Sequence, residues 1–301
     1  ISDFTIVTPS FNQGKYLEKC ITSVLNQKGT VTDYIVMDGG STDNSKDVID
    51  KYEKHLYHYE IKKDNGQADA INRGASKSSS PIIGYINSDD YYVDGALEKV
   101  KNYFENHPDI DFIVGLCQIV DHKDHLLKTY KFDGISKYEY LSPKKSIHNF
   151  IPQPSTFWRR TVWIKYGPLS LKYRNAFDYD YFLNLLLNNV KVGYINEVLA
   201  AYRVHPSQKS ADTSVIFQET VQISKSNMKF IEGNEKIKKK LLIDYKWCEY
   251  RIQLNQAINK FHEVGYFKYL IEILFIGIKN PYFAFRHKLY YYLFIRPLFK
   301  S

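Results

Sequence analysis

Phe4-Thr5-Ile6-Val7-Thr8-Pro9-Ser10-Phe11-Asn12 is the stretch on which the fold turns. Its first five residues are apolar or β-branched, the composition of a short buried strand, and Pro9 ends the run. From Lys15 to Gln27, Leu17, Cys20, Ile21, Val24 and Leu25 then recur at helical spacing. The alternation repeats downstream. Tyr34-Ile35-Val36-Met37-Asp38 reads as a second strand, Gly39-Gly40-Ser41-Thr42-Asp43 as a turn, and the next segment as a helix with Val48, Ile49 and Tyr52 on one face. A third strand is expected at 57–61, a helix at 67–76, a fourth strand at 82–86, a helix at 94–106 and a strand at 112–120. Strands alternating with helices predict βαβ units, hence an α/β domain whose mostly parallel sheet is covered by helices on both faces. Residues 121–150 read as a polar, irregular excursion. Regular structure resumes at 157–163 and 177–187, with a strand about 198–204. Beyond 214 the pattern is helical, which predicts a first domain over 1–210 and a helical, basic and aromatic region over 211–301.

The 301 residues carry 41 Lys and Arg against 33 Asp and Glu, a formal net charge of +8. The excess is uneven. Residues 1–100 hold 11 basic and 15 acidic groups, 101–209 hold 15 and 10, and 210–301 hold 15 and 8. A nucleic-acid binder carries a basic stripe on its main domain, so the acidic first third argues against a nucleic-acid partner. The basic tail instead favours an anionic surface. With 44% hydrophobic and 25% charged residues, disordered, collagen-like and coiled-coil classes are excluded. Cys20, Cys117 and Cys248 are odd in number and far apart, so they form neither a disulfide framework nor a metal pair. No signal-peptide pattern is visible at Ile1-Ser2-Asp3. No run approaches the ~20 apolar residues of a membrane span. A cytoplasmic setting is the expectation.

The polar residues collect where strands end: Ser10 and Asn12, Asp38, and Asn87-Ser88-Asp89-Asp90. In open α/β sheets that edge is where ligands sit. Neither GxGxxG nor GxxxxGK[ST] occurs, so phosphate has no glycine nest and a diphosphate needs a cation beside it. Carboxylates and hydroxyls suit Mg²⁺ or Mn²⁺, and Mg²⁺ is typically held by one or two carboxylates together with substrate phosphates.

Thr-Pro-Ser-Phe-Asn at 8–12, Asp-Gly-Gly-Ser-Thr-Asp at 38–43, Asp-Asn-Gly-Gln-Ala-Asp-Ala-Ile-Asn-Arg-Gly at 64–74 and Asn-Ser-Asp-Asp at 87–90 resemble, in order and spacing, the family 2 glycosyltransferases. Gln153-Pro154-Ser155-Thr156-Phe157, Phe177-Asp178-Tyr179-Asp180 and Tyr202-Arg203-Val204-His205 extend the likeness to about residues 3–207. The resemblance implies a nucleotide-sugar-binding α/β domain of the GT-A type that transfers a sugar with inversion. It assigns Pro9, Ser10 and Asn12 to the nucleotide pocket and Asp38 to the base, usually uracil. Asp64, Asp69 and Asn72, with Asn87 and Ser88, fall on the donor side. Asp89 matches the acidic metal ligand, and His205 a residue near the metal or diphosphate. Asn87 departs from the family pattern, where an acid usually stands, so the site has one negative charge fewer.

Inverting transfer is a single displacement in which an acceptor hydroxyl attacks the anomeric carbon. A carboxylate that takes its proton contributes roughly 10²- to 10⁴-fold. Asp178 matches the second letter of the family's Glu-Asp pair, with Phe177 in place of the first acid. Asp180 is the rival. On a helix the two are about 200° apart and cannot both face the sugar. Gln153, Ser155 and Asp180 fall on the acceptor side. The expected reaction moves a hexose or N-acetylhexosamine from a UDP-sugar to a glycan or lipid-linked glycan in cell-surface polysaccharide biosynthesis. A dTDP- or GDP-sugar donor, or a non-catalytic sugar-nucleotide-binding scaffold at the membrane, is the alternative. Residues 261–301 mix aromatics with Lys and Arg. They read either as a helical cap or homo-oligomer contact, or as a peripheral contact with the inner face of the cell membrane.

Overall fold

The computed structural model describes residues 2–132, 134, 136–146, 150–209, 213–231, 233–259, 274–276 and 278–284. Along the chain, β1 (Phe4–Ser10), α1 (Gly14–Leu25), β2 (Thr32–Asp38), α2 (Ser45–Tyr52), β3 (His58–Ile61), α3 (Gln67–Ala75) and β4 (Ile82–Tyr85) form the first run. β5 (Tyr91–Tyr92), α4 (Ala96–Asn106), β6 (Phe112–Val120), β7 (Leu126–Tyr130), α5 (Lys137–Tyr140) and α6 (Pro143–Ser146) follow. Then come β8 (Thr156–Arg159), α7 (Arg160–Tyr166), α8 (Phe177–Leu187), β9 (Val192–Arg203), α9 (Thr213–Ser226), α10 (Glu235–Asn259) and α11 (Pro281–Ala284).

The strands make one nine-stranded sheet in the order β3-β2-β1-β4-β8-β6-β9-β5, with β7 paired to β6. From β3 to β4 every pairing is parallel. β8 then enters antiparallel to both β4 and β6, and β6 and β9 run parallel through nine paired positions. Every residue of β1 is buried, as a central strand covered on both faces requires. Side chains alternate between those faces. Phe4 and Ile6 of β1, Tyr34 and Val36 of β2 and Phe157 of β8 share one core with Leu17 and Ile21 of α1, Ile49 of α2 and Leu97 and Val100 of α4. On the other face Trp158 of β8 packs against Tyr85, Phe112 and Tyr181. α3 lies over β1 and β2 there. A Cβ on Gly74 would come within 2.6 Å of Val7 Cγ1 and 3.1 Å of Met37 Cγ, so only glycine lets the helix sit this close.

Residues 121–150, expected to be irregular, contain β7. It pairs antiparallel with β6 through a tight turn in which Asp121 Oδ1 accepts from the N–H groups of Lys123 (2.7 Å) and His125 (2.9 Å). The apolar alternation is weak because Leu126 and Leu127 of β7 are exposed. Away from the carboxyl edge, partly buried Arg160 donates to Ser80 O, Ala75 O and Thr5 Oγ1, tying α7 to the start of β1.

The chain divides into two compact units, residues 1–137 with 149–211, and 138–148 with 212–301. In the second, Ser142 Oγ donates to buried Asp244 Oδ2 of α10 at 2.7 Å, and α6 packs on α10. No helix among the described residues is long and apolar enough to cross a membrane. Most of the segment 261–301, where a membrane or oligomer contact is expected, falls outside the described residues.

Candidate active site

The register of β1 on β2 sets Ser10 opposite Asp38 at the carboxyl edge. Asp38, expected at the base, is buried. Its Oδ1 accepts from the N–H groups of Gly40 (3.0 Å) and Ser41 (2.7 Å), and its Oδ2 from Ser41 Oγ (2.7 Å). A carboxylate offers about four acceptor positions, so most of this one is committed to its own turn. Asp43 behaves similarly, accepting from Ser45 Oγ (2.5 Å), Ser45 N–H (3.0 Å) and Gly14 N–H (2.9 Å). Burial works to raise its pKa, but these hydrogen bonds win and hold it below the usual value. Asn12, in the left-handed region at φ 52°, accepts at Oδ1 from Thr42 N–H (2.8 Å), and its own N–H donates to Ser41 Oγ (2.7 Å). It therefore locks the end of β1 to the β2 turn. Pro9 is buried beside Met37 in the register. Ser10 differs: its Oγ is buried with no hydrogen-bond partner among the described residues. A buried hydroxyl left unpaired is costly, which marks this atom as one that a ligand would satisfy.

The 64–74 segment packs beside that turn. Asp64 Oδ1 accepts from Gly66 N–H (2.8 Å), and its Oδ2 lies 3.0 Å from where a Cβ on Gly39 would stand. Asp69 Oδ2 accepts from Asn65 N–H (3.1 Å) and pairs with Arg73 Nε (3.3 Å), while Arg73 also pairs with Glu60. Asn72, expected on the donor side, has both ends of its carboxamide engaged by Leu169. Its Nδ2 donates to Leu169 O and its Oδ1 accepts from Leu169 N–H, both at 2.9 Å. The carboxamide is used in both directions to hold α3 against the loop before α8.

The Asn87–Asp90 turn follows β4. Asn87 Oδ1 accepts from Gln67 Nε2 (2.6 Å), and its Nδ2 donates to Gln153 Oε1 (3.2 Å) and Asp90 Oδ2 (3.3 Å). The uncharged residue at this place is thus held by three partners, and its donor edge faces a carboxylate. Ser88 is buried. Asp89 Oδ2 lies 3.0 Å from Nε2 of buried His205, whose Nδ1 is 3.0 Å from Ser207 Oγ. Asp90 is 1% exposed and accepts at Oδ1 from Arg203 N–H (2.9 Å). Burial, and then the charge of Asp89, push its carboxyl well above the usual range.

Asp178 and Asp180 both lie in the first turn of α8. Phe177 packs on Tyr85 with ring centroids 6.5 Å apart. Burial drives the Tyr85 phenol far above its usual pKa, and the charges of Asp178 and Asp90 add to the shift. Both carboxylates are therefore within electrostatic reach of one ring. Asp180 Oδ atoms meet a drier environment: burial raises this carboxyl to about 6, opposed by Lys172. Gln153 is buried, with Nε2 donating to Tyr85 O (2.8 Å) and Oε1 taken by Asn87. Ser155, expected at the acceptor, is fully buried and donates to Leu116 O (2.9 Å), so its hydroxyl supports β6. Lys209 joins the two sides: its Nζ donates to Gln67 Oε1 (3.0 Å) and to Arg174 O, and stands 5.2 Å from the Phe177 ring centroid.

Gln67, Tyr85, Asp90, Arg203 and Lys209 belong to this constellation although sequence reasoning did not single them out. Gln67 and Arg203 stand inside motifs already read, so their signal was present. Tyr85 looked like any core aromatic. The described residues contain no group of three or more His, Cys, Asp or Glu that could hold a metal ion. Asp89 Oδ2 and His205 Nε2 nonetheless converge at 3.0 Å, a carboxylate oxygen of the type that Mn²⁺ and Mg²⁺ accept beside an imidazole nitrogen. Two protein donors fit a cation whose remaining positions are filled by substrate phosphate and water.

The fold resembles that of Staphylococcus aureus TarS residues 1–349, solved in complex with UDP-GlcNAc. Identity is 14% and the TM-score 0.63, over 91% of this chain and 79% of that one. The mannosyltransferase PcManGT of Pyrobaculum calidifontis, in complex with GDP-Man and Mn²⁺, aligns over 100% of this chain and 88% of its own, with 12% identity and a TM-score of 0.61. Such likenesses carry the fold, which is α/β of the GT-A type. In sequence, the minor teichoic acid biosynthesis protein GgaA of Bacillus subtilis is 30% identical over 219 residues, 69% of this chain and 48% of GgaA, so this chain spans about half that protein's length. The family model for glycosyl transferase family 2 matches residues 5–166, more than half of the 301, and the chain belongs to that family.

Proposed function

We propose that the protein moves a hexose or N-acetylhexosamine from a UDP-sugar to a hydroxyl of a glycan or lipid-linked glycan, with inversion, in cell-surface polysaccharide biosynthesis at the inner face of the membrane. The observation that carries the reading is the convergence on Tyr85: Gln153 joins Tyr85 O to Asn87 of the acid-bearing turn, and Phe177, next to Asp178, packs on the Tyr85 ring. One acid-bearing turn and the acid-bearing start of α8 thus both border this residue. The UDP-GlcNAc bound by TarS and the teichoic acid named in GgaA support the donor and the acceptor class. A GDP-sugar is the competing donor, because PcManGT binds GDP-Man in the same fold.

Ser10, with its orphaned hydroxyl, and Asp38, with one acceptor position to spare, face the nucleoside. Asp64 and Asp69 shape the donor side. Asp89 and His205 would hold Mn²⁺ or Mg²⁺, which when bound supplies positive charge against the departing diphosphate. Asp178 accepts the acceptor hydroxyl's proton as the new bond to the anomeric carbon forms and the bond to the diphosphate oxygen breaks. Asp178 is preferred to Asp180 because it matches the family's acid and directly follows Phe177, whose ring packs on Tyr85.

The test compares donor hydrolysis and sugar transfer by wild type, Asp178→Asn and Asp180→Asn, after UDP-, dTDP- and GDP-sugars are screened by thermal shift with Mn²⁺. Turnover lost in Asp178→Asn with donor binding retained supports the assignment. Wild-type binding of UDP without turnover on any donor and acceptor pair favours a non-catalytic binding module.

A further inference from the structure

Arg203, the last residue of β9, is 2% exposed. Its Nη2 and Nε donate to Asp124 Oδ1 at 2.7 and 3.2 Å. Asp124 sits in the β6–β7 turn at φ 69° and takes Lys19 Nζ on Oδ2 at 2.9 Å. The guanidinium carbon lies 4.5 Å from the Tyr16 ring centroid and 5.4 Å from that of Tyr91. Tyr16, on its side, packs against the His205 ring with centroids 4.6 Å apart. Arg203 therefore reaches both acids of the Asn87–Asp90 turn by separate routes. Its backbone N–H holds Asp90 directly, and its side chain holds Tyr16, which holds His205, which meets Asp89.

We propose that Asp124 and Arg203 are positioning residues that fix the aim of His205 and Asp89, so that a hairpin turn outside the site sets how well the site takes a divalent cation. A buried guanidinium needs a counter-charge, and Asp124 supplies it. Without that charge Arg203 seeks water, and the Tyr16 ring loses the cation on one face and its restraint on His205. The demand on geometry is high here, since with Asn87 in place of an acid Asp89 and His205 are the convergent pair of donors among the described residues. The inference rests on the reading of those two residues as the metal-facing pair. It goes beyond that reading in naming what orients them.

The experiment titrates Mn²⁺ into the full chain in the presence of UDP, followed by the electron paramagnetic resonance of free Mn²⁺. Asp124→Asn is the first variant, because Asn tolerates a positive φ and keeps the turn. Partners of this kind typically alter metal affinity about 10- to 100-fold, and that rise in apparent Kd is the expected result. The KM for Mn²⁺ rises in parallel, while kcat at saturating Mn²⁺ changes much less. Tyr16→Leu, which leaves the Arg203–Asp124 pair intact, raises the Kd in the same direction and covers the case in which Asp124→Asn fails to fold. Arg160→Met removes a well-bonded, partly buried arginine at the far end of β1 and is the control for general loosening. Unchanged Mn²⁺ affinity in both Asp124→Asn and Tyr16→Leu overturns the proposal, as does an equal loss in Arg160→Met. Wild type without Mn²⁺ binding, or Asp89→Ala with undiminished binding, overturns the metal assignment itself and this proposal with it.

Discussion

The turn after β2 and the turn after β4 are both rich in acids, yet they use them in opposite ways. Asp38 and Asp43 turn their oxygens onto the N–H and hydroxyl groups of their own segment and of Gly14. Asp89 and Asp90 engage residues more than a hundred positions away, His205 and Arg203. The first arrangement fixes a shape, and the pKa of Asp43 is held down accordingly. The second sets one acid beside another, and burial, then the charge of Asp89, drives the pKa of Asp90 up. The same carboxylate is a scaffold where several donors of its own turn surround it, and a strained neighbour where it is buried next to a second acid.

Substitutions that separate these two uses give graded outcomes. Asp178→Asn has the largest expected effect, a fall in kcat of about 10²- to 10⁴-fold with donor affinity retained in equilibrium binding. Asp89→Asn comes next, with Mn²⁺ dependence shifted about 10- to 100-fold to higher concentration, read from rate against metal concentration. Asn72→Ala leaves the Leu169 backbone groups unpaired and lowers stability by about 2 kcal/mol in urea unfolding, with little change in donor affinity. A donor affinity lost in step with stability would return Asn72 to the donor site.

The smallest effect tests the sign of the electrostatics. Asp180's folded pKa of about 6 lies above its ordinary value, so its contribution is fully present below about pH 4 and declines as pH rises through 6. Asp180→Asn removes that decline and stabilises the protein at pH 7 by about 1 kcal/mol, the partial exposure of the group having screened the shift. Asp43 carries the reverse sign: its contribution is present above pH 4 and disappears as acid protonates it. Thermal unfolding across pH 3–8 for Asp180→Asn and Asp43→Asn therefore yields slopes altered in opposite directions. Parallel curves would contradict the comparison.

Much of this was legible from residue order. The βαβ alternation depends on local periodicity, and Val48 with Ile49 or Leu17 with Ile21 announce their faces within one helical turn. The motif-bearing turns follow from the same strand ends. What could not be read was what each polar group meets. Asn72 and Leu169 are 97 positions apart, and nothing near either residue signals their pairing. Ser155 stands in a motif beside Gln153, yet the short 3-10 turn over 153–155 points its hydroxyl toward β6. Asp124 lies in a turn whose sequence resembles any exposed loop. Its importance appears only when β9 delivers Arg203 to it. The β6–β7 hairpin itself was hidden because its outer strand carries leucines into solvent, against the alternation that marks a half-buried strand.

Gly74 sits at the opposite end of α3 from Gln67, about 10 Å along the helix axis. The missing methyl group there seats the helix, and Val7 with Met37 closes behind it. Adding a single carbon would lift one end of a rigid rod, and the other end carries the amide that grips Asn87 and receives Lys209. An alanine far from any reacting atom would thus misalign the donor side by leverage, and turnover would suffer from a change that touches no substrate.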